Sequence, residues 1–163
     1  MRHGDGEYTA SPNAEDGSNK GVYRGKWSEN QKHGIGKQSY PGVGDYYGYW
    51  ENNLRHGEGV MSYTNKDLYS GNWAQGQKHG KGTYTFAETK EKYVGHFAKG
   101  QMVSGKWLMC NGDFFQGNFD NNKPKGAGEW SFKNGNKVQG VYRQTRSAAN
   151  DADDIQLSWS TQC

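Results

Sequence analysis

The chain has 163 residues and a net charge of +3, from 20 basic and 17 acidic side chains, which is too small an excess to predict nucleic acid as the main partner. Only 31% of the residues are hydrophobic, yet 14% are aromatic and 25 are glycine. Because disordered chains are poor in aromatic residues, this composition argues against disorder and favours many short strands joined by tight turns.

The first twenty residues divide into two segments. Residues 1–8 contain His3-Gly4-Asp5-Gly6 followed by Tyr8, which matches the second half of the repeat described below. Residues 9–20 are polar and turn-rich and predict a loop or linker. The N-terminus has no apolar signal region, and Cys110 and Cys163 form neither a disulfide framework nor a zinc spacing, so we expect a protein of the cytoplasm.

A repeat with a period of 23 residues occupies residues 21–145. Its first marker is a glycine two positions after another small or turn-forming residue, as in His56-Gly57-Glu58-Gly59. Its second marker is an aromatic residue, a glycine and an aromatic residue at alternate positions, as in Tyr69, Gly71 and Trp73. The glycines assigned a structural role in the repeat are Gly25, Gly36, Gly48, Gly59, Gly71, Gly82, Gly95, Gly105, Gly117 and Gly128.

Alternation with a period of two predicts strands, with one face aromatic and glycine-rich and the other face wet. Asn52-Asn53, Gln75-Gly76, Lys99-Gly100 and Asn121-Asn122 predict turns within units, while Asn111-Gly112 and Asn134-Gly135 predict primed hairpin turns between units. The predicted fold is therefore all-β: a single-layer antiparallel meander of tandem hairpins, in which each unit touches only its neighbours.

Residues 146–163 leave the repeat. They contain Asp151, Asp153 and Asp154 and end in the apolar-alternating stretch 155–159. A closing strand, a cap and a partner-binding tail are equally compatible with this segment.

The aromatic face is the predicted partner-binding surface. A single-layer sheet cannot cover all of its rings, so we expect at least half to pack as core and the rest to form a groove for a partner protein. A docked helix and an added edge strand both fit this prediction. The groove candidates are Trp27, Trp50, Trp73, Phe97, Phe119, Tyr40, Tyr63, Tyr84, Trp107 and Trp130.

No pattern in the sequence predicts catalysis, a metal or a cofactor. His33, His56 and His79 recur with the repeat and should lie about 10 Å apart, too far to share one zinc ion, so a structural role is expected. The stretch 76–82 lacks the spacing of a phosphate-binding loop and leads into a strand. We expect a protein that is not an enzyme.

The unit Tyr-x-Gly-x-Trp followed by His-Gly-x-Gly, repeated over residues 21–142, resembles the MORN repeat (membrane occupation and recognition nexus). The units vary along the chain in the order 78–84, 92–95, a unit without His-Gly, and 115–128. This order is similar to that in the radial spoke head protein 1 family of motile cilia. This resemblance implies a structural subunit of the radial spoke head in the axoneme, a cytoskeletal part of the cilium or flagellum. It also implies other spoke-head proteins as partners within a large complex.

The resemblance also leaves a membrane function open. Lys32, Arg55, Lys78 and Lys125 could form a basic stripe along one edge that contacts anionic lipids, as a phosphoinositide-binding module at a membrane junction or a regulator of a lipid kinase would. Nearby acidic residues weaken this interpretation, and protection of the sheet edge against aggregation is favoured. A third possibility is a segment that serves an enzyme, as in some lysine methyltransferases.

Overall fold

The computed structural model describes residues 2–9, 21–146 and 155–161, and every regular element in these ranges is a β-strand. The strands are β1 (Gly4–Thr9), β2 (Val22–Ser28), β3 (Gln31–Tyr40), β4 (Gly44–Glu51), β5 (Leu54–Tyr63), β6 (Leu68–Ala74), β7 (Gln77–Thr85), β8 (Lys92–Ala98), β9 (Gln101–Leu108), β10 (Phe114–Asp120), β11 (Lys123–Ser131), β12 (Lys137–Arg146) and β13 (Ile155–Thr161). The described residues contain no helix that could span a membrane.

The thirteen strands form one antiparallel sheet whose spatial order is the order along the chain. Each strand from β2 to β12 pairs with the strand before it and the strand after it, so each hairpin packs mainly against its neighbours. The predicted all-β single-layer meander is confirmed. We number the repeat units from the pairs β2–β3, β4–β5, β6–β7, β8–β9 and β10–β11, as units one to five.

The turns within units lie where they are predicted, and they have primed geometry. Asn52 and Asn53 have φ angles of 49° and 69°, and Lys99 and Gly100 have φ angles of 49° and 82°. Two successive positive φ angles define the type I′ turn, whose twist matches that of the two strands it joins. Asparagine and glycine tolerate this left-handed conformation best, which explains their recurrence at these positions.

The turns between units differ from the prediction. Met109 and Asp113 close a three-residue loop, since the Met109 N–H donates to the Asp113 carbonyl at 2.8 Å. Only Gly112 has a positive φ in this loop, at 95°. Asn111 instead accepts a hydrogen bond from the Asp113 N–H at 3.0 Å. The Asn-Gly pair therefore forms an Asx turn followed by a left-handed glycine, and the expectation of a primed two-residue turn was wrong.

Each His-Gly pair forms a β-bulge in the second strand of its unit. In unit one Gly25 pairs with Gly36, but Trp27 pairs with Lys32, so β3 has two more residues than β2 over this stretch. The bulge requires a left-handed residue, and Gly34 supplies it with a φ of 66°. The bulge has a further consequence: it places Lys32 directly opposite Trp27 on the neighbouring strand.

The glycines of the repeat make room for the tyrosine that precedes them. A Cβ atom at Gly82 would lie 2.7 Å from Cζ of Tyr69, which is closer than two carbon atoms can approach. The Tyr69 hydroxyl then donates to the Asn72 carbonyl at 2.9 Å, and Tyr23 and Tyr46 make the same bond in their units. Each ring thus lies flat against bare backbone, and its polar end is satisfied.

The tryptophans connect one unit to the next. The Trp50 ring packs edge-to-face on Tyr23 of the preceding unit, with centroids 5.3 Å apart, and its Nε1–H donates to the Gly36 carbonyl at 3.1 Å. Trp73 makes the corresponding bond to the Gly59 carbonyl at 3.2 Å. The core is therefore a row of interleaved rings on one face, without a second layer.

Both ends of the array add a strand. At the N-terminus β1 pairs with β2, and Tyr8 packs on Trp27. At the C-terminus β13 pairs with β12, and Trp159 packs on Tyr142 with centroids 4.8 Å apart. Residues 155–161 thus form a closing strand. Most of the predicted linker (10–20) and the three aspartates of residues 151–154 lie outside the described residues.

Candidate protein-interaction site

The aromatic face is mostly closed. Five of the ten groove candidates, those on the first strand of each unit, belong to the buried core and are at most 7% exposed: Trp27, Trp50, Trp73, Phe97 and Phe119. The expectation that these five line an open groove is corrected. Their rings are sealed because each lies between a tyrosine or phenylalanine and the glycines of the neighbouring strand.

The other five candidates lie on the second strand of each unit and are half-buried against the core: Tyr40, Tyr63, Tyr84, Trp107 and Trp130. Three of them have polar partners within the chain: the Tyr84 hydroxyl donates to Asp67 at 2.7 Å, the Trp107 Nε1–H to Glu91 at 3.1 Å and the Trp130 Nε1–H to Tyr142 at 3.1 Å. They offer ring edges to a partner rather than a continuous groove, and their role in binding stays a prediction.

Among the basic side chains that lie over the rings of this face, three belong to units one to three, and Arg2 lies 5.0 Å from the Trp27 ring before them. The Lys32 ammonium is 4.9 Å from the Trp50 ring centroid, and the Arg55 guanidinium is 4.5 Å from that of Trp73. Lys78 lies 4.7 Å from the Tyr84 ring. Because burial removes water from both ammonium groups, the pKa values of Lys32 and Lys78 are lowered.

These contacts correct the predicted basic edge stripe. Lys32, Arg55 and Lys78 are half-buried cation–π partners of the core, not exposed edge charges. Lys125 is the exposed member of the four, and its ammonium lies 2.6 Å from the Asp120 carboxylate. The prediction considered only the position of these residues next to the turns, whereas the alternation through Gly36 and Gly34 places Lys32 on the aromatic face, and the bulge sets it opposite Trp27.

The opposite face of the sheet is open and contains a shallow hollow of about 830 Å³ that extends from β3 to β8. Its floor is the backbone around the paired glycines of units two and three. Its side chains all belong to the parity that the sequence predicts as wet: Ile35, Tyr47, Tyr49, Glu58, Val60, Ser70, Asn72, Lys81, Thr83, Val94 and His96.

Two tyrosines dominate the hollow. Tyr47 is 58% exposed and Tyr49 is 50% exposed, although both lie in the centre of a paired strand. From Tyr47 an uncharged row continues across the sheet through Val60, Ser70 and Thr83. Exposed aromatic side chains on a rigid, uncharged surface are typical of protein-interaction sites.

Sequence reasoning missed Tyr47 and Tyr49, although the sequence contains the relevant pattern. In β4 aromatic residues occupy both parities, since Tyr46 and Trp50 belong to the aromatic face and Tyr47 and Tyr49 to the other. The remaining repeat strands carry mostly polar residues at the second parity. An aromatic residue that interrupts the repeat at a position predicted to face solvent indicates a role other than packing in the core.

The histidines of the His-Gly pairs are exposed at the bulges. His56 Nδ1 lies 3.4 Å from the Glu51 carboxylate. No group of three or more potential metal ligands occurs within the ranges 2–9, 21–146 and 155–161.

Comparison with protein families agrees with this architecture. The model of the MORN repeat matches five segments that together span more than half of the chain, residues 23–42, 46–68, 69–88, 93–114 and 115–137. No curated protein matches the chain. MORN repeats generally mediate contacts with proteins or membranes. The matched segments follow the hairpin units described above, and the chain belongs to the MORN-repeat family.

Proposed function

We propose that the protein is a structural scaffold that binds partner proteins through the hollow on the open face of its sheet. The observation that carries this proposal is the pair Tyr47 and Tyr49, half or more exposed on a floor of paired strands. Since the core on the other face accounts for the stability of the sheet, these two rings are free to be covered by a partner.

We further propose that the partners are axonemal, and specifically proteins of the radial spoke head in a cilium or flagellum. Support comes from the order of unit variations in the sequence, with a regular third unit, a fourth unit without His-Gly and a fifth with Lys125-Gly126-Ala127-Gly128. This order is similar to the radial spoke head protein 1 family. The proposal includes localisation to the cytoskeleton of the axoneme and no catalytic activity.

The membrane alternative has less physical support. An anionic lipid surface attracts exposed basic clusters, at about 1 kcal/mol for each Lys or Arg near the surface. Three of the four residues that would form such a stripe lie over aromatic rings instead. The fourth, Lys125, is paired with Asp120.

The test is affinity purification of the tagged full chain from ciliated cells. The variant Tyr47→Ala/Tyr49→Ala removes both exposed rings, and Phe132→Ala is a matched control that removes an exposed ring from the other face. We expect spoke-head proteins to co-purify with the wild type and with the control, and to be lost with the double variant.

Two results would contradict the proposal. Retention of the same partners by the double variant would exclude the hollow as the binding site, and enrichment of non-axonemal proteins alone would exclude the axonemal assignment. Saturable binding of the purified protein to phosphoinositide vesicles at physiological salt would favour the membrane alternative.

A further inference from the structure

A second cavity, of about 320 Å³, lies on the aromatic face, outside the hollow. It is bounded by β7, β8 and the turn that joins β10 to β11. Four rings form its walls, those of Tyr84, Phe86, Tyr93 and Phe97. The Tyr93 hydroxyl donates to the Asn122 carbonyl at 2.8 Å and so holds the turn of unit five against unit four. The volume is at the lower end of the range for ligand sites and suits one or two side chains.

The cavity arises from two irregularities in unit four. Phe97 occupies the place that tryptophan has in units one to three, and its smaller ring makes no hydrogen bond like that of Trp73 to the Gly59 carbonyl. Met102 occupies the place of the basic residue that lies over the rings in the earlier units. Phe97 is smaller than tryptophan and Met102 has no charge, so the regular packing of the aromatic face is interrupted at this point.

The ammonium of Lys78 is left without a hydrogen-bond acceptor at this interruption. The corresponding Lys32 donates to Gln38 Oε1 at 2.6 Å, and the longer Arg55 reaches the Gly76 carbonyl at 2.5 Å. Among the described residues, Lys78 Nζ contacts only ring faces, at 4.7 Å from Tyr84, 5.6 Å from Tyr69 and 5.9 Å from Phe97. The ammonium has lost part of its water shell and remains accessible to solvent, and such a group binds an anion more strongly than one fully hydrated.

Among the described residues, the charged side chains that line the cavity are lysines, and the Asp67 carboxylate behind its wall accepts a hydrogen bond from the Tyr84 hydroxyl at 2.7 Å. Lys123 is on its wall, and the Lys123 ammonium donates to the Ile155 carbonyl at 3.3 Å. Glu91 is the acidic residue that acts on Tyr93, but its carboxylate accepts the Trp107 indole hydrogen bond and does not line the cavity. A negatively charged group entering the cavity would therefore meet two lysines and no carboxylate from its lining.

We propose that this cavity binds a carboxylate side chain of a partner polypeptide, with an apolar neighbour of that side chain packed on the rings. The carboxylate oxygen would accept a charge-assisted hydrogen bond from Lys78 Nζ, and the apolar group would cover Phe86 and Tyr93. A single ammonium without an acceptor suits a monoanion, whereas a phosphate group is usually held by several donors at once. The site is independent of the hollow, which lies on the other face.

The test uses the intact chain and two matched peptides, N-acetyl-Phe-Glu-amide and N-acetyl-Phe-Gln-amide, which differ in one negative charge. Binding is followed by NMR titration of the aromatic signals of Tyr84 and Tyr93. We expect the Glu peptide to bind at least about tenfold more tightly than the Gln peptide, because a hydrogen bond to a charged group contributes this much.

The variant Lys78→Met should remove that difference and leave the fold unchanged, because Met102 already occupies the same position in the next unit. Lys32→Met is the matched control: its ammonium lies over corresponding rings but already has an acceptor, so the preference for the Glu peptide should persist.

Three outcomes would overturn the proposal: equal binding of the two peptides by the wild type, an unchanged preference in Lys78→Met, or displacement of the Glu peptide by an equal concentration of inorganic phosphate. If Lys78→Met does not fold, the comparison of the two peptides on the wild-type chain still decides.

Discussion

Similar side chains on the two faces of strand β4 differ greatly in their exposure to solvent. Tyr46 and Trp50 on the aromatic face are 0% and 3% exposed, while Tyr47 and Tyr49, each one residue away, are more than half or half exposed. Strand β4 pairs with β3 without interruption and with β5 except at the bulge opposite Tyr49. The difference therefore lies in what each ring has beside it.

Glycine accounts for the difference. On the aromatic face the neighbours of Tyr46 are Gly48 and Gly59, so its ring can lie against the backbone, and Trp50 and Trp73 then close over it. On the open face Tyr47 lies between Lys37 and Val60, whose side chains hold its ring away from the backbone. A single-layer sheet can thus bury rings without a second layer, but only on the face where glycine recurs.

The largest test of this comparison is the removal of one ring from each face. Trp73→Ala should lower the free energy of unfolding by about 3–5 kcal/mol, because it leaves a cavity between Tyr46 and Tyr69 and removes the bond to the Gly59 carbonyl. Tyr47→Ala should change it by less than about 1 kcal/mol. Urea unfolding followed by circular dichroism measures both values.

Similar losses in the two variants would mean that the open face also contributes a core. The same reasoning changes the expectation for Trp50→Ala combined with Trp73→Ala. The sequence predicts that this pair releases a partner and leaves the sheet intact, but with both rings buried the double variant should lose the sheet itself.

A smaller effect is expected when a glycine of the aromatic face acquires a methyl group. In Gly82→Ala the new Cβ would lie 2.7 Å from Cζ of Tyr69, so the ring must move and its neighbours with it. Overpacking of this kind costs about 1–3 kcal/mol. Ser70→Ala, at an exposed position on the open face of the adjacent strand, is the control and should be nearly neutral. Thermal unfolding would reveal the difference, and equal midpoints would contradict the role assigned to glycine.

The fold was predictable because its determinants are local. The 23-residue period and the alternation within each unit specify the strands and which parity is aromatic, and the type I′ turns follow from pairs such as Asn52-Asn53. The sequence does not reveal the bulge at Gly34 so directly, because the residue type alone does not distinguish a glycine in a bulge from a glycine in a turn. The bulge sets Lys32 opposite Trp27 and within reach of the rings, and the predicted basic stripe failed for this reason.

The site was harder to predict, because exposure depends on neighbours that are distant in sequence. The exposure of Tyr47 depends on Lys37 and Val60 across two strands, and the burial of Trp50 depends on Tyr23, 27 residues earlier. The cavity beside Lys78 could be predicted only if the contact between the turn at Asn122 and Tyr93 were known. Aromatic residues alone therefore predict a ring-rich face but not which rings remain open.

The smallest and most specific test concerns the hydroxyl of one core tyrosine. Tyr69→Phe removes the hydrogen bond to the Asn72 carbonyl and keeps the ring, and Phe115 occupies the corresponding position in unit five. At neutral pH we expect a loss of about 0.5–1.5 kcal/mol in the free energy of unfolding.

Alkaline pH makes this test diagnostic of burial. Burial raises the pKa of Tyr69 to about 12, whereas the pKa of an unburied tyrosine, as in the unfolded chain, is 10.0. Between these values the folded state keeps a proton that the unfolded state has lost, so the free energy of unfolding falls as pH rises through this window. Tyr69→Phe should make that fall in the free energy of unfolding shallower. Burial also raises the pKa of Tyr23 to about 12, so Tyr23→Phe should make the fall shallower still. An unchanged slope in both variants would mean that water reaches these hydroxyls, and that the aromatic face is not closed in the way that separates it from the open one.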